Sequence, residues 1–174
     1  APTNPAYLLQ EAQLQIRAQN VEGARDLINQ AIELRPNYPE ALSFLTELEL
    51  ATGQTEQAVA TTRAIINLEP NNPARYYQLA VLLSAQGDIA GATSAFERAI
   101  DLNPQFANAR YLLALAYAEV GRMDDAIEQL IVVRDLNPDN EAVTELIAQI
   151  QSGEFVPSPV SAAPVVSEPE VVAE

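Results

Sequence analysis

The sequence predicts an all-α fold built from stacked helical hairpins, and three series of residues predict it. Pro36, Pro70, Pro104 and Pro138 stand 34 residues apart, in the phrases IELRPN, INLEPN, IDLNPQ and RDLNPD. Gly53, Gly87 and Gly121 recur at the same interval, and so do Ala24, Ala58, Ala92 and Ala126. Three independent series with one period mark an internal repeat, in which each repeat is one supersecondary unit stacked on its copies.

Each residue type has a physical reason to recur. Proline lacks an N–H and cannot continue a helix, so it closes the second helix of each hairpin. Glycine takes the left-handed conformation that ends the first helix and starts a tight turn. Alanine lets the two helices of a hairpin approach closely. Helix pairs are therefore expected over 5–35, 39–69, 73–102 and 107–136, with Asn4 as a cap and Pro5 at the first helical position. Asp88 and Asp124 stand where helix N-termini favour an acceptor or a negative charge. A ninth helix, over about 140–151, puts Val143, Leu146, Ile147 and Ile150 on one face and Glu145, Gln149 and Gln151 on the other. That is the solvating cap that the end of a repeat array needs.

These positions resemble the tetratricopeptide repeat. The third unit carries the pattern best, with Tyr76, Leu79, Ala80, Gly87, Ala92, Phe96, Ala99 and Pro104. The fourth has Leu113, Ala114, Tyr117, Gly121, Ala126 and Pro138, with Leu130 and Val133 for the usual Phe and Ala. The second keeps Leu42, Leu45, Gly53, Ala58 and Pro70 but has Thr62 and Ile65 at those two places. The first keeps Leu8, Ala12, Ala24, Ala31 and Pro36 and has Gln19 where Gly is usual. The resemblance covers residues 5–152 and implies a right-handed helical-hairpin solenoid of four 34-residue units. The expected organisation is a lead of residues 1–4, units over 5–38, 39–72, 73–106 and 107–140, a capping helix over 141–152 and an extended tail over 153–174.

Composition narrows the chemistry. The chain has no Cys, His or Trp, and its nine basic residues are all Arg. No thiolate–imidazole pair, Ser–His relay or zinc site is available, nor a lysine for a Schiff base or P-loop. Neither an EF-hand spacing nor an N-x-S/T acceptor occurs. The sequence thus predicts no enzyme and no cofactor. A formal net charge of −15 disfavours nucleic acid and anionic membrane surfaces, both of which attract basic stripes. Solubility is the plain reading of that charge, and a basic partner the specific one. No apolar run approaches the roughly 18–20 residues that span a bilayer, so direct membrane insertion is not expected.

After Gly153 the character changes. Residues 154–174 carry Pro157, Pro159, Pro164 and Pro169 together with Phe155, Val156, Val160, Val165, Val166, Val171 and Val172. Proline at this density favours extended or polyproline backbone. The segment reads either as a linker or tether, or as a docking strand reaching about 65 Å at roughly 3.1 Å per residue. Its Ser158, Ser161 and Ser167, amid Pro and Ala, raise the question of attached sugars. The first residue is Ala1 rather than Met, as signal-peptidase trimming would leave it. Together with the sticky tail, this makes an extracellular or cell-envelope location the expectation, with a cytoplasmic one left open.

The resemblance implies a protein-interaction scaffold whose first helices line a groove. Mapped onto this sequence, the groove holds Leu9, Gln13 and Arg17, then Glu40, Phe44 and Glu47, then Tyr77, Gln78 and Val81, then Asn108, Tyr111, Leu112 and Leu115. The clamp for chaperone-tail carboxylates known in this family is not expected, because it uses Lys. The expected partner is a protein or peptide, copies of the chain included. Docking of Val160, Val165 and Val166 at Phe44, Tyr77 and Tyr111 of a neighbour would give head-to-tail assembly, a filament or a ring. The alternatives are a monomeric adaptor, or the helical arm of a larger envelope protein or transferase.

Overall fold

The structure is a computed structural model that describes residues 4–156. Among those residues it is all-α, with nine helices. They are α1 (Pro5–Arg17), α2 (Val21–Leu34), α3 (Pro39–Ala51), α4 (Thr55–Leu68), α5 (Pro73–Ala85), α6 (Ile89–Leu102), α7 (Ala107–Glu119), α8 (Met123–Leu136) and α9 (Glu141–Ser152). The chain divides into two compact units, Ala1–Asn71 and Asn72–Glu174.

In both units one turn joins the helices of every hairpin. The residue after each first helix ends it, and the next takes a left-handed φ: +59° at Gln19, +74° at Gly53, +78° at Gly87 and +81° at Gly121. The following N–H then reaches back five residues, Asn20 to Gln15 O (2.9 Å), Gln54 to Glu49 O (2.7 Å), Asp88 to Leu83 O (2.9 Å) and Arg122 to Tyr117 O (2.8 Å). These bonds satisfy carbonyls that the helix end would otherwise leave unpaired. Gln19 holds the same geometry with a β-carbon, which crowds the backbone in this region. Gln19→Gly should therefore stabilise unit 1 by about 0.5–1 kcal/mol, since the gain outweighs the extra freedom of Gly in the unfolded chain. Chemical denaturation of the two proteins measures the difference.

The second helices end for a different reason. All four stop at a leucine (Leu34, Leu68, Leu102, Leu136), and the next residue leaves the α-region, with φ between −145° and −125° and ψ between 61° and 93°. Each of those residues precedes a repeated proline, whose ring excludes the α-conformation from its neighbour. Pro5, Pro39 and Pro73 serve the opposite end, opening α1, α3 and α5 where a missing N–H removes no helical bond. Asn4 and Asn72 accept from the N–H groups of Ala6 (3.0 Å) and Ala74 (3.1 Å). Asp88 caps α6 through the Gly91 N–H (2.9 Å), while Asp124 lies inside the first turn of α8.

Packing follows the same register. Ala24, Ala58, Ala92 and Ala126 have no exposed surface, nor do Ala31, Ile65, Ala99 and Val133. Where unit 2 has Ala80 and Ala114, unit 1 has Ala12 and Thr46, whose hydroxyl donates to Leu42 O at 3.0 Å. In unit 1 the core joins Leu8, Ala12, Ile28 and Leu48, with Phe44, Leu45 and Tyr38 packed against it. In unit 2, α9 packs on α8 through Val143, Ile147 and Ile150. Gly153 then turns left-handed (φ +76°), and the Glu154 and Phe155 N–H groups return to Gln149 O at 3.0 Å. So α9 ends in the turn that closes every first helix, and the tail departs where a second helix would begin.

Candidate interaction site

Of the unit 1 residues expected in a groove, Gln13, Arg17, Glu40 and Glu47 are exposed on α1 and α3. Two depart from the expectation. Leu9 is buried in the hydrophobic core, and Phe44 is half-buried against it, because both sit where the two hairpins of the unit press together. The apolar surface that remains here belongs to Ile16 and Leu50, each more than a third exposed. They stand 34 residues apart, at one repeat position that the sequence reading passed over.

Unit 2 is more apolar at the equivalent face. Tyr77 and Gln78 are half-buried, and Val81, one turn on, is 36% exposed. On α7 the matching stripe is Tyr111 and Leu115, both half-buried. The Tyr77 ring lies 5.0 Å from that of Phe106, the residue that precedes α7, and 6.0 Å from Phe96 on α6. The second turn of α5 is thus tied to the start of α7. Burial pushes the Tyr111 phenol above its ordinary pKa. Leu112 and Asn108, also expected at the groove, are buried instead, since α7 is packed on both sides, by α6 and α8. The Asn108 Oδ1 is enclosed and has no hydrogen-bond partner among the described residues.

The polar groups nearby are structural. Tyr117 is buried, donates to Glu97 Oε1 at 2.7 Å and lies under the Arg122 guanidinium, 4.1 Å from its ring centre. Burial first, and the Glu97 carboxylate second, push its pKa up to about 12, so it stays a neutral donor. Arg110 donates to Pro104 O (2.8 Å) and Gln129 Oε1 (2.7 Å), fixing the loop before α7. Of the tail, Phe155 is half-buried and Val156 exposed, whereas Val160, Val165, Val166, Val171 and Val172 lie outside the described residues.

A face of half-buried aromatic and aliphatic side chains on repeated hairpins defines a class, the helical-repeat proteins that bind other proteins. The chain belongs to the tetratricopeptide repeat family, which it matches over residues 15–82 and 83–150. Its fold is similar to that of the protein MamA, with a TM-score of 0.76 at 23% identity, covering 86% of this chain and 82% of that one. MamA from Desulfovibrio magneticus RS-1 gives 0.73 at 21% identity, covering 86% and 85% of the two chains. YrrB, described as a tetratricopeptide repeat protein with an unusual peptide-binding site, gives 0.68 at 18% identity, covering 82% and 74%. No curated protein matches the sequence.

Proposed function

We propose that this non-enzymatic scaffold binds extended apolar peptide on the first-helix face of unit 2, and that its own tail is one such ligand. The observation that carries the reading is the stripe Tyr77, Val81, Tyr111 and Leu115, which keeps apolar surface in solvent on helices otherwise committed to the core. Tyrosines contribute large contact area at small entropic cost. Peptide binding by the similarly folded YrrB supports the use of such a scaffold. A neighbour's tail, lying on this face, makes a contact between two unlike surfaces, which propagates head to tail unless the rotation closes a ring.

A second reading, the monomeric adaptor, is favoured by the net charge of −15, because copies of so acidic a chain repel one another. Light scattering separates the two. The intact chain should be oligomeric and lose that state on deletion of residues 154–174 or in the double variant Tyr77→Ser, Tyr111→Ser. Raising the salt concentration should strengthen the assembly by screening its repulsion. An intact chain that stays monomeric under these conditions excludes self-assembly. Binding of an isolated 154–174 peptide to the shortened chain then tests the peptide site by itself.

A further inference from the structure

A second surface lies on unit 1, away from the groove residues. On α1, Tyr7 and Leu14 share one side of the helix, seven residues apart, and are 63% and 58% exposed. The residues one unit later are Ala41 and Leu48, and those three units later are Ala109 and Ala116; all four are buried. They are buried because α2 packs on α3 and α6 packs on α7. The position on α1 is therefore one that a helix covers elsewhere in the chain. It carries apolar side chains as large as any that are covered, and they stand in water. Isolated exposed apolar residues need no explanation, but two on one helix face beside a cleft point to a partner.

The cleft lies between α1 and α2 and has a volume of about 500 Å³. Tyr7, Leu8 and Leu27 give it an apolar wall, and Glu11, Asp26 and Gln30 are among the residues that line the rest. No basic side chain lines it. Glu11 replaces the leucines at 45, 79 and 113, the first half-buried and the other two buried, and neither Glu11 nor Asp26 has an ion-pair partner among the described residues. An entirely apolar helix would leave these carboxylates desolvated and unpaired, which is unfavourable. One with Lys or Arg flanking an apolar residue would pair them. Within residues 1–174 the candidates have the wrong charge: α9 carries Glu141 and Glu145 without a base, and 154–174 has four Glu and no base.

We infer that this cleft docks a cationic amphipathic helix from outside residues 1–174, an apolar side chain entering between Tyr7, Leu8 and Leu27 while basic residues pair with Glu11 and Asp26. The probe is a short fluorescent helical peptide with Leu on one face flanked by Lys, titrated by anisotropy into the full chain. A Leu/Glu version serves as control. Tyr7→Ser with Leu14→Ser should weaken binding about tenfold, as removal of central apolar anchors does. Glu11→Gln with Asp26→Asn should weaken it by a similar factor and reduce its salt dependence. Neutralising the remote pair Glu56→Gln and Asp101→Asn should change little.

Three results would overturn the inference. They are no binding, equal weakening by the remote pair (non-specific attraction to an acidic chain), or equal binding of the Leu/Glu peptide. Loss of self-association in Tyr7→Ser, Leu14→Ser with no effect on the peptide would assign the face to a second copy instead. Deleting 154–174 should leave the peptide's affinity unchanged, which keeps this test apart from that of the tail.

Discussion

Phe96→Ala should remove about 3–5 kcal/mol from the stability of unit 2, the range for truncating a core aromatic. Phe96 has no exposed surface and is the largest fully buried side chain among the described residues. The loss depends on how far the surroundings relax into the space, and here they are poorly equipped to do so. The same helix presents Ala92, Ala95 and Ala99 to the interior, and Ala80 is buried on α5, which packs on α6. Alanines have no rotamers with which to fill a hole, so closing it would require the helices themselves to move. The ring also borders Tyr77 at 6.0 Å with a 59° tilt, and Tyr77 belongs to the proposed peptide face. Its removal should weaken peptide binding as well, through a loosened Tyr77. Phe96→Leu installs the residue found at position 130 and should cost only about 1–1.5 kcal/mol. Denaturant unfolding with both variants checks this; losses of equal size would mean that the site collapses after all.

Residues at the repeat interval reveal which parts of the fold were legible beforehand. The prolines and glycines act on their own backbones, so their effects could be read locally: helices end one residue before the residue preceding each repeated proline, and turns fall at Gly53, Gly87 and Gly121. Even Gln19 showed its place through register rather than type. The proposed binding surface was less legible, because exposure depends on what a neighbouring helix covers. Leu9 and Leu112 occupy first-helix positions that could line a groove, yet packing against adjacent helices encloses them. Tyr7 and Leu14 look like core residues by spacing and are exposed, since nothing among the described residues lies over them. Tyr38 and Phe106 were equally hidden: each stands at a helix N-cap without a capping side-chain bond, where its ring instead packs or stacks.

Glu49→Leu should stabilise unit 1 by about 1–3 kcal/mol, an uncommon direction for a core substitution. The same repeat position holds Leu83 and Tyr117 in unit 2. In unit 1 a carboxylate stands there, buried, and its Oε2 has no hydrogen-bond partner among the described residues. Burial pushes its pKa above the ordinary 4.5, and a hydrogen bond with Thr61 on α4 and the charge of Arg25 on α2 offset only part of this. Arg25 is itself drawn towards Gln54, whose Oε1 it meets at 3.1 Å. Because the folded state holds the proton more tightly than the unfolded state, the charge penalty is absent below pH 4.5. It grows as pH rises through the elevated folded pKa and is fully present above that. The advantage of Glu49→Leu over the parent should therefore increase across this window and then level off, with Glu49→Gln showing the same pH-dependent increase from a lower baseline, because it still buries a polar amide. Stability measured from acid to neutral pH for the three proteins decides the matter: a difference that stays flat, or shrinks as pH rises, would mean that Glu49 finds its compensation in the folded state and is not the weak point of the second hairpin.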